Sequence, residues 1–296
     1  MSKLRTMMPG VLIALTLLAA VGCGRPAGVE AIRPLSESDA SAGSMTYNGV
    51  RYKLSYDWAR YQRLFKHTPK TRYAYDLALP QTVDLRTEQG PVYSQGALGS
   101  CTAFAITKGL REHMQRKNGE RTVPLSALFG YYETRRLAGH NVFKDTGGTI
   151  IEGMKALKES GSAPDLLWPY EISKFHIMPT VDAYMAAQEF KVTQTVQLAG
   201  LEDVKVALAK GHSVAFGFVS VGKIMSPDAN GVMPMPQPGD SIHGGHAMLA
   251  VGYDETRQAL LVRNSWGDAW GLGGYAYMPY AFFTTTPHAM DFWTAS

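Results

Sequence analysis

The stretch Gln95-Gly-Ala-Leu-Gly-Ser-Cys-Thr-Ala-Phe-Ala105 is the strongest guide to the fold of this chain. Apolar residues follow it at helical spacing as far as Gln115, so Cys101 should lie in the first turn of a helix. The unpaired N–H groups and the helix dipole at that position favour a thiolate over a thiol. Gln95 is close enough along the chain to turn its amide toward the sulfur. The stretch predicts a nucleophilic cysteine, with a buried structural cysteine as the alternative.

The start of the chain indicates secretion. Residues 1–22 read as a signal peptide, because a basic segment precedes an apolar run that is short for a membrane span. The run ends in Ala20-Val-Gly-Cys23, which resembles a bacterial lipobox, so lipidation of Cys23 would anchor the protein to a membrane. We expect export across the inner membrane and a periplasmic or cell-surface location, with the outer membrane as default. An ordinary cleaved signal with an incidental Cys23 is the alternative.

Composition narrows the function classes. The chain has two cysteines, which excludes a disulfide framework. Its 29 Lys and Arg residues outnumber 25 Asp and Glu, but 11 of the bases and only five of the acids lie within residues 1–80. The remaining 216 residues hold 18 bases and 20 acids, a net charge of −2, so a nucleic-acid partner is not expected.

Two segments precede the main domain. Residues 23–46 are rich in Ala, Ser, Gly and Pro, as expected of a lipidated N-terminus and flexible tether. Residues 47–79 are basic and aromatic, with Ser55 as a candidate helix N-cap and three aromatic residues on one helical face. We interpret this pre-segment as an intramolecular propeptide. A helix on an anionic membrane surface and a packed structural helix are the alternatives.

Residues 80–296 predict an α+β domain, because helices come first and strands follow. Helices are expected from Ser100, after Ser126 and from Thr149, where Glu152 completes a capping box, and again over residues 201–210. Strands are expected over residues 213–219, 246–253, 258–264 and 274–278. The glycine pair Gly147-Gly148 either lets a peptide backbone approach closely or simply forms a loop before the third helix.

Four motifs in sequence order resemble those of the papain-type cysteine peptidases. They are Gln95, Gly99-Ser100-Cys101, Gly245-His246-Ala247, and Asn264-Ser265-Trp266-Gly267 followed by Trp270-Gly271 and Gly274-Tyr275. The resemblance runs from about Pro80 to the C-terminus. It implies a papain-like two-lobe fold, with a helical lobe facing a β-barrel lobe and a peptide-binding cleft between them.

The resemblance also implies roles for these residues. Cys101 would be the nucleophile, His246 its proton partner and Asn264 the group that orients the imidazole ring. Gln95 and the backbone N–H of Cys101 would form the oxyanion hole. Trp266 would shield the hydrogen bond between His246 and Asn264 from water.

The expected substrate is a peptide or protein, bound through backbone pairing and one main side-chain pocket. Gly147 and Gly148 would pair with the substrate backbone. Ile150, Gly217 and Gly245 would line a plain hydrophobic pocket. No cofactor or metal is expected.

Two positions depart from the family pattern, and the first departure fits a bacterial branch of the family. Leu98 stands where the family signature has a cysteine, which removes a disulfide next to the nucleophile. Thr102 stands where the signature has an aromatic residue, and we expect it to alter the wall of the cleft on the leaving-group side.

Several alternatives remain open. His243 is a competing base, and His243, His246 and Cys101 are a conceivable metal site. The favoured function is an endopeptidase acting through an acyl-enzyme. The rivals are a catalytically silent peptide-binding or scaffold lipoprotein, and an amidase or transferase that uses the same thioester.

Overall fold

The computed structural model describes residues 43–65, 67–73, 78–285 and 289–296. The expected signal peptide and Cys23 lie outside the described residues, as does most of the expected tether. The last four residues of that tether, 43–46, are not flexible linker but part of a β-strand. Within the described ranges, no helix is both long enough and apolar enough to cross a membrane.

The helices follow the sequence patterns closely over the first half of the domain. They are α1 Trp58–Leu64, α2 Cys101–Ala103, α3 Glu112–Lys117, α4 Ala127–Leu137, α5 Ile150–Glu159, α6 Val181–Ala187, α7 Leu201–Ala209 and α8 Tyr280–Thr285. A π-helical stretch, Phe104–Arg111, joins α2 to α3 without a break. Short 3₁₀ turns occupy Arg86–Glu88, Ile172–Lys174 and Gln188–Phe190.

The strands form one small and one large antiparallel sheet. They are β1 Gly43–Tyr47, β2 Val50–Leu54, β3 Thr82–Asp84, β4 Thr195–Leu198, β5 Val214–Val221, β6 Ile242–Asp254, β7 Ala259–Arg263, β8 Tyr275–Pro279 and β9 Ala289–Ala295. β1 and β2 pair as a hairpin. The other seven form one sheet in the order β4-β9-β5-β6-β7-β8, with β3 on β6. The α+β prediction is confirmed, and this sheet is the β part of the fold.

Local sequence explains the element boundaries that matter for the site. Thr149 and Glu152 form the predicted capping box at the start of α5. The hairpin turns at Asn48-Gly49, both at positive φ, which matches the preference of tight β-hairpins for this pair. The predicted N-cap of α1 is wrong: Asp57, not Ser55, caps it by accepting from the Arg60 N–H at 2.9 Å.

The helical segment 101–117 lies in the interior of the protein. Every residue of its π-helical part is buried, and the two cations within it are paired: Lys108 with Glu112 and Asp165, and Arg111 with Glu120. Leu110 and Met114 contribute to the core under the large sheet, whereas Ala103 contributes to a second core formed with α4 and α6. The segment therefore fixes the start of α2, and with it Cys101, between the helical part and the sheet.

Candidate active site

Cys101 is the first residue of α2 and is fully buried. Ser100 precedes it as the N-cap residue, and its hydroxyl is hydrogen-bonded to the Tyr170 hydroxyl at 2.6 Å. The predicted position of the thiol at a helix start is confirmed. The Thr102 hydroxyl donates to the Gly148 carbonyl at 3.1 Å, so it faces the glycine pair. The expected effect of Thr102 on the leaving-group wall stays a prediction.

Gln95 is held beside the residues that follow β7. Its backbone N–H donates to the Ser265 carbonyl at 2.8 Å, and its side-chain Oε1 accepts from the Ser265 hydroxyl at 2.7 Å. These bonds orient the amide, so that Nε2 points to the other side and donates to the carbonyls of Lys53 and Leu98, each at 3.0 Å. Gln95 is fully buried. Its Nε2 is thus a fixed donor.

His246 and Asn264 are joined by a hydrogen bond of 2.8 Å between Nε2 and Oδ1. The same Oδ1 accepts the backbone N–H of Ser265 at 2.8 Å, which identifies this atom as the amide oxygen. Because the oxygen only accepts, the proton of the neutral ring is on Nε2 and Nδ1 has a free lone pair. Nδ1 is buried and has no hydrogen-bond partner among the described residues.

Aromatic rings surround the imidazole. Trp266 lies 5.5 Å from the His246 ring and Phe218 lies 5.8 Å from it, measured between ring centroids. The ring of Tyr52 stacks on the ring of Trp266, with 4.6 Å between the two ring centroids. His246 is fully buried beside these rings and Asn264 is 4% exposed, and the shielding role of Trp266 stays a prediction.

Burial favours the neutral forms of both Cys101 and His246. It raises the pKa of the Cys101 thiol, although polar contacts with Ser55, Ala247 and Thr102 act in the opposite direction. Burial also lowers the pKa of His246 to about 4, against a smaller opposite effect of the hydrogen bond to Asn264. In the covered site, therefore, a thiol and a neutral imidazole are favoured over a thiolate–imidazolium pair.

The cover is a segment of the same chain. Residues 53–57, here called the cleft strap, run over Cys101 between the two glycine motifs. The Tyr56 N–H donates to the Gly245 carbonyl at 2.9 Å, and the Asp57 N–H donates to the Gly148 carbonyl at 3.2 Å. A Cβ at Gly147 would lie 1.8 Å from the Ser55 carbonyl oxygen, so glycine is required for this close approach.

The strap places the Tyr56 ring in a pocket, here called the tyrosine pocket, with Asp291 at its base. The Tyr56 hydroxyl donates to Asp291 Oδ2 at 2.7 Å, and both residues are fully buried. Gly217 lies opposite Asp291 in the pairing of β5 with β9, and a Cβ at Gly217 would lie 2.2 Å from the Tyr56 ring. The expected plain hydrophobic pocket is therefore wrong, because its base carries a carboxylate.

Asp291 is also held by protein donors. It accepts from Trp293 Nε1 at 2.6 Å and from the Ile150 N–H at 3.2 Å. Burial raises the pKa of this carboxyl to about 6, despite these donors and the Tyr56 hydroxyl. Of the predicted substrate-binding residues, Gly217, Gly245 and Ile150 all lie around this pocket.

The alternative roles of His243 are not supported by its contacts. Its Nε2 is hydrogen-bonded to the Gly222 carbonyl at 3.0 Å, whereas His246 Nε2 is bonded to Asn264. In the part of the chain that the structure describes, no three His, Cys, Asp or Glu residues are grouped so as to hold a metal ion.

Sequence reasoning missed Tyr56, Asp291 and Asp145. Asp145 accepts hydrogen bonds from Lys53 Nζ and from the Gly99 N–H, and so lies at the cleft. An acidic residue within the apolar run of β9 was a readable signal for Asp291. Strand β9 itself was not predicted.

Comparisons with known proteins agree with this geometry. Residues 79–283 match the family model described as papain family cysteine protease. A peptidase C1-like protein of Acanthamoeba polyphaga mimivirus is 36% identical over 213 residues, which cover 67% of each chain. Human cathepsin L2 is 30% identical over 218 residues, covering 67% of this chain and 60% of cathepsin L2. The chain thus spans about six-tenths of the length of the cathepsin relatives.

Solved structures show the same fold. Xylellain, a cysteine protease from Xylella fastidiosa, superposes with a TM-score of 0.69 at 33% identity, covering 74% of this chain and 87% of xylellain. A procathepsin B from Trypanosoma congolense superposes with a TM-score of 0.60 at 16% identity, covering 88% of both chains. The papain-like two-lobe fold is confirmed. With the family model covering more than half of its length, the chain belongs to the papain family of cysteine proteases, which are hydrolases.

Proposed function

We propose that this protein is a cysteine endopeptidase that hydrolyses peptide bonds through Cys101, His246 and Asn264, with Gln95 in the oxyanion hole. The observation that carries the proposal is the free Nδ1 of His246. The hydrogen bond to Asn264 fixes the tautomer and leaves this lone pair as the base for a thiol at the start of α2.

Each chemical step has a group to perform it. The Cys101 proton moves to His246 Nδ1, and the thiolate sulfur bonds to the substrate carbonyl carbon. Gln95 Nε2 and the Cys101 N–H stabilise the charge on the carbonyl oxygen. His246 Nδ1 then returns the proton to the departing amine as the C–N bond breaks, which leaves a thioester on Cys101. A water molecule, deprotonated by the same Nδ1, hydrolyses the thioester and restores the thiol.

We also propose that the pre-segment is an inhibitory propeptide and that the cleft strap is its blocking part. The strap engages the Gln95 amide through the Lys53 carbonyl and fills the tyrosine pocket. Helix α1 follows it and is anchored by a salt bridge between Arg60 and Glu152, with Arg60 Nη2 also donating to the Ala138 carbonyl at 2.9 Å. Two of the solved structures with the same fold are named as procathepsins, that is, as proforms, and this supports the proposal.

The proposed location of this latent enzyme is a membrane surface facing the periplasm or the cell exterior, with Cys23 lipidated. The lipobox-like Ala20-Val-Gly-Cys23 supports this part of the proposal. A mass spectrum of the native protein tests it, because it reports the lipid on Cys23 and any cut near Leu79.

The test of catalysis compares the processed wild-type protein with Cys101→Ala cut at the same position, on a denatured protein and a mixed peptide library. Hydrolysis by the wild type and a loss of at least about 10⁴-fold in the variant are expected, as for loss of other covalent nucleophiles. If the processed wild type cuts nothing but Cys101→Ala still binds peptides, the protein is a catalytically silent peptide binder. Acyl transfer to an added amine in place of hydrolysis would identify a transferase.

A chain that begins near Leu79 tests the propeptide. We expect it to hydrolyse peptides faster than a chain that begins at Gly24. Equal rates from two folded proteins would refute inhibition by residues 24–78.

A further inference from the structure

We propose that Asp145 makes the pocket next to Cys101 selective for lysine or arginine, so that the peptidase acylates on basic residues. The inference rests on the proposed peptidase function and specifies its substrate class. The residue concerned is the one whose carbonyl carbon Cys101 attacks, here called the acylating residue.

The strap locates the pocket for this residue. Tyr56 fills the tyrosine pocket, and Ser55 is its neighbour on the side of Cys101, where polar groups of Ser55 contact the thiol. A substrate can run through the cleft in the same direction as the strap or in the opposite direction. In both cases the residue that lies between the tyrosine pocket and the sulfur is the acylating residue. The space that Ser55 occupies is therefore the pocket for its side chain.

Asp145 borders this space directly. A Cβ built on Gly99 would lie 2.5 Å from Ser55 Oγ and 2.8 Å from Asp145 Oδ1, so the Ser55 side chain and the carboxylate border the same small space. Gly147 closes the other side, against the Ser55 carbonyl. A longer side chain at the position of Ser55 would thus be directed to the carboxylate.

The carboxylate is fixed by the protein. The Tyr131 hydroxyl donates to Oδ1, and the Gly99 N–H lies 3.2 Å from both carboxylate oxygens. Tyr131 is itself held by a hydrogen bond from the Gly147 N–H to its hydroxyl oxygen at 3.1 Å. These donors hold the carboxylate at the cleft, and its side chain retains 20% exposure.

A lysine already uses this position. Lys53 Nζ donates to Asp145 Oδ2 and to the Asp145 backbone carbonyl, both at 2.7 Å. Arg135 is the nearby cation of the helical part, but its donors go to the carbonyls of Tyr131, Val142, Lys144 and Phe175. Removal of the strap would therefore leave Asp145 with neutral donors and with room for a cation from the substrate.

The chemistry favours a basic substrate side chain over a neutral one of the same shape. An ammonium or guanidinium group can reproduce the two bonds of Lys53, which are charge-assisted and therefore stronger than neutral ones. Because the site is partly exposed, the expected preference is about tenfold rather than the larger factor of a fully buried pair.

The test uses two peptidyl chloromethyl ketones with tyrosine in the adjacent position and either arginine or citrulline as the acylating residue. Citrulline has the shape of arginine without its charge. The readout is the rate of covalent labelling of Cys101 in the full-length protein, followed by mass spectrometry. Both probes must displace the same strap, so the cost of displacing it cancels in the ratio of their rates.

The wild-type protein should react about tenfold faster with the arginine probe, and Asp145→Asn should bring the ratio close to one. The matched control is Asp268→Asn, which removes an exposed acidic residue two positions after Trp266 and should keep the wild-type ratio. Equal rates of the two probes in the wild type would overturn the acidic pocket and leave the peptidase proposal intact. If iodoacetamide alkylates Cys101 but neither ketone does, even in the full-length Tyr56→Ala variant, which lacks the buried side chain that anchors the strap, the peptidase proposal fails and this inference fails with it.

Discussion

Replacing Tyr56 by alanine should uncover Cys101, because this side chain is the main buried anchor of the cleft strap. Its ring is fully buried against Gly217, and its hydroxyl donates to Asp291 at 2.7 Å. Loss of a buried aromatic ring typically costs about 3–5 kcal/mol. Since about 1.4 kcal/mol corresponds to a factor of ten, the open fraction of the strap should rise at least about 100-fold.

Tyr56→Phe separates the hydroxyl from the ring. It removes one charge-assisted hydrogen bond, which is worth about 1.5–3 kcal/mol. Asp291 keeps its bonds from Trp293 and Ile150, so the lower end of that range applies. The open fraction should then rise about tenfold, less than in Tyr56→Ala.

Two rates measure the opening. One is the second-order rate of Cys101 alkylation by iodoacetamide, and the other is the initial rate of hydrolysis of a short fluorogenic peptide. Both should rise in the order wild type, Tyr56→Phe, Tyr56→Ala. The matched control is Tyr47→Phe, which removes the same atom from a tyrosine whose hydroxyl makes an exposed bond of 3.3 Å to the Ala269 carbonyl.

The thermal midpoint of the domain should be followed in parallel, so that opening of the strap is distinguished from unfolding. If Tyr56→Ala and Tyr47→Phe alkylate at the wild-type rate while the domain remains folded, the strap does not control access to Cys101. The account of latency would then be refuted.

Three further predictions concern the site itself. Gln95→Ala should lower kcat about 100- to 1000-fold through loss of one oxyanion donor, and a loss confined to KM would contradict that role. The rate of Cys101 alkylation should begin to rise at a lower pH in Tyr56→Ala than in the wild type, because water that enters the site removes the burial that raises the pKa of the thiol. Superimposable profiles of rate against pH in the two proteins would count against this explanation. Asp291→Asn should gain stability relative to the wild type as the pH rises from about 4 to 7. Burial raises the pKa of the Asp291 carboxyl to about 6, so over this pH range the folded wild type binds more protons than the unfolded chain and loses stability as the pH rises. If the thermal midpoints of the two proteins show no such trend between pH 4 and 7, Asp291 is not a buried ionisable carboxyl.

The helical half and the catalytic motifs could be predicted from the sequence because their signals are local. Cys101 stands at the start of an apolar run with helical period, and the capping box at Thr149 marks the start of α5. The catalytic motifs also include the immediate neighbours of the site residues: Gly245 precedes His246, and Ser265, which follows Asn264, donates its N–H to the Asn264 side chain. These features need no knowledge of the rest of the chain.

The occupied cleft could not be predicted in the same way. The bond between Tyr56 and Asp291 joins residues 235 positions apart, and neither has a local pattern that names the other. Asp291 lies in a strand near the C-terminus that pairs with β5, so the carboxylate reaches the pocket only through sheet topology. For the same reason Asp145 could be recognised as a cleft residue only when its contacts with Gly99 and Lys53 were known.

The most direct test of the central claim is to trap the acyl-enzyme. An activated ester of a short peptide acylates a cysteine peptidase faster than water removes the acyl group, so the thioester accumulates. After acid quenching, mass spectrometry of Tyr56→Ala should find the acyl mass on the peptide that contains Cys101, and no such adduct when Cys101→Ala is added to that variant. Product formation with no adduct on Cys101, or with the acyl group on another residue, would contradict the assignment of Cys101 as the nucleophile.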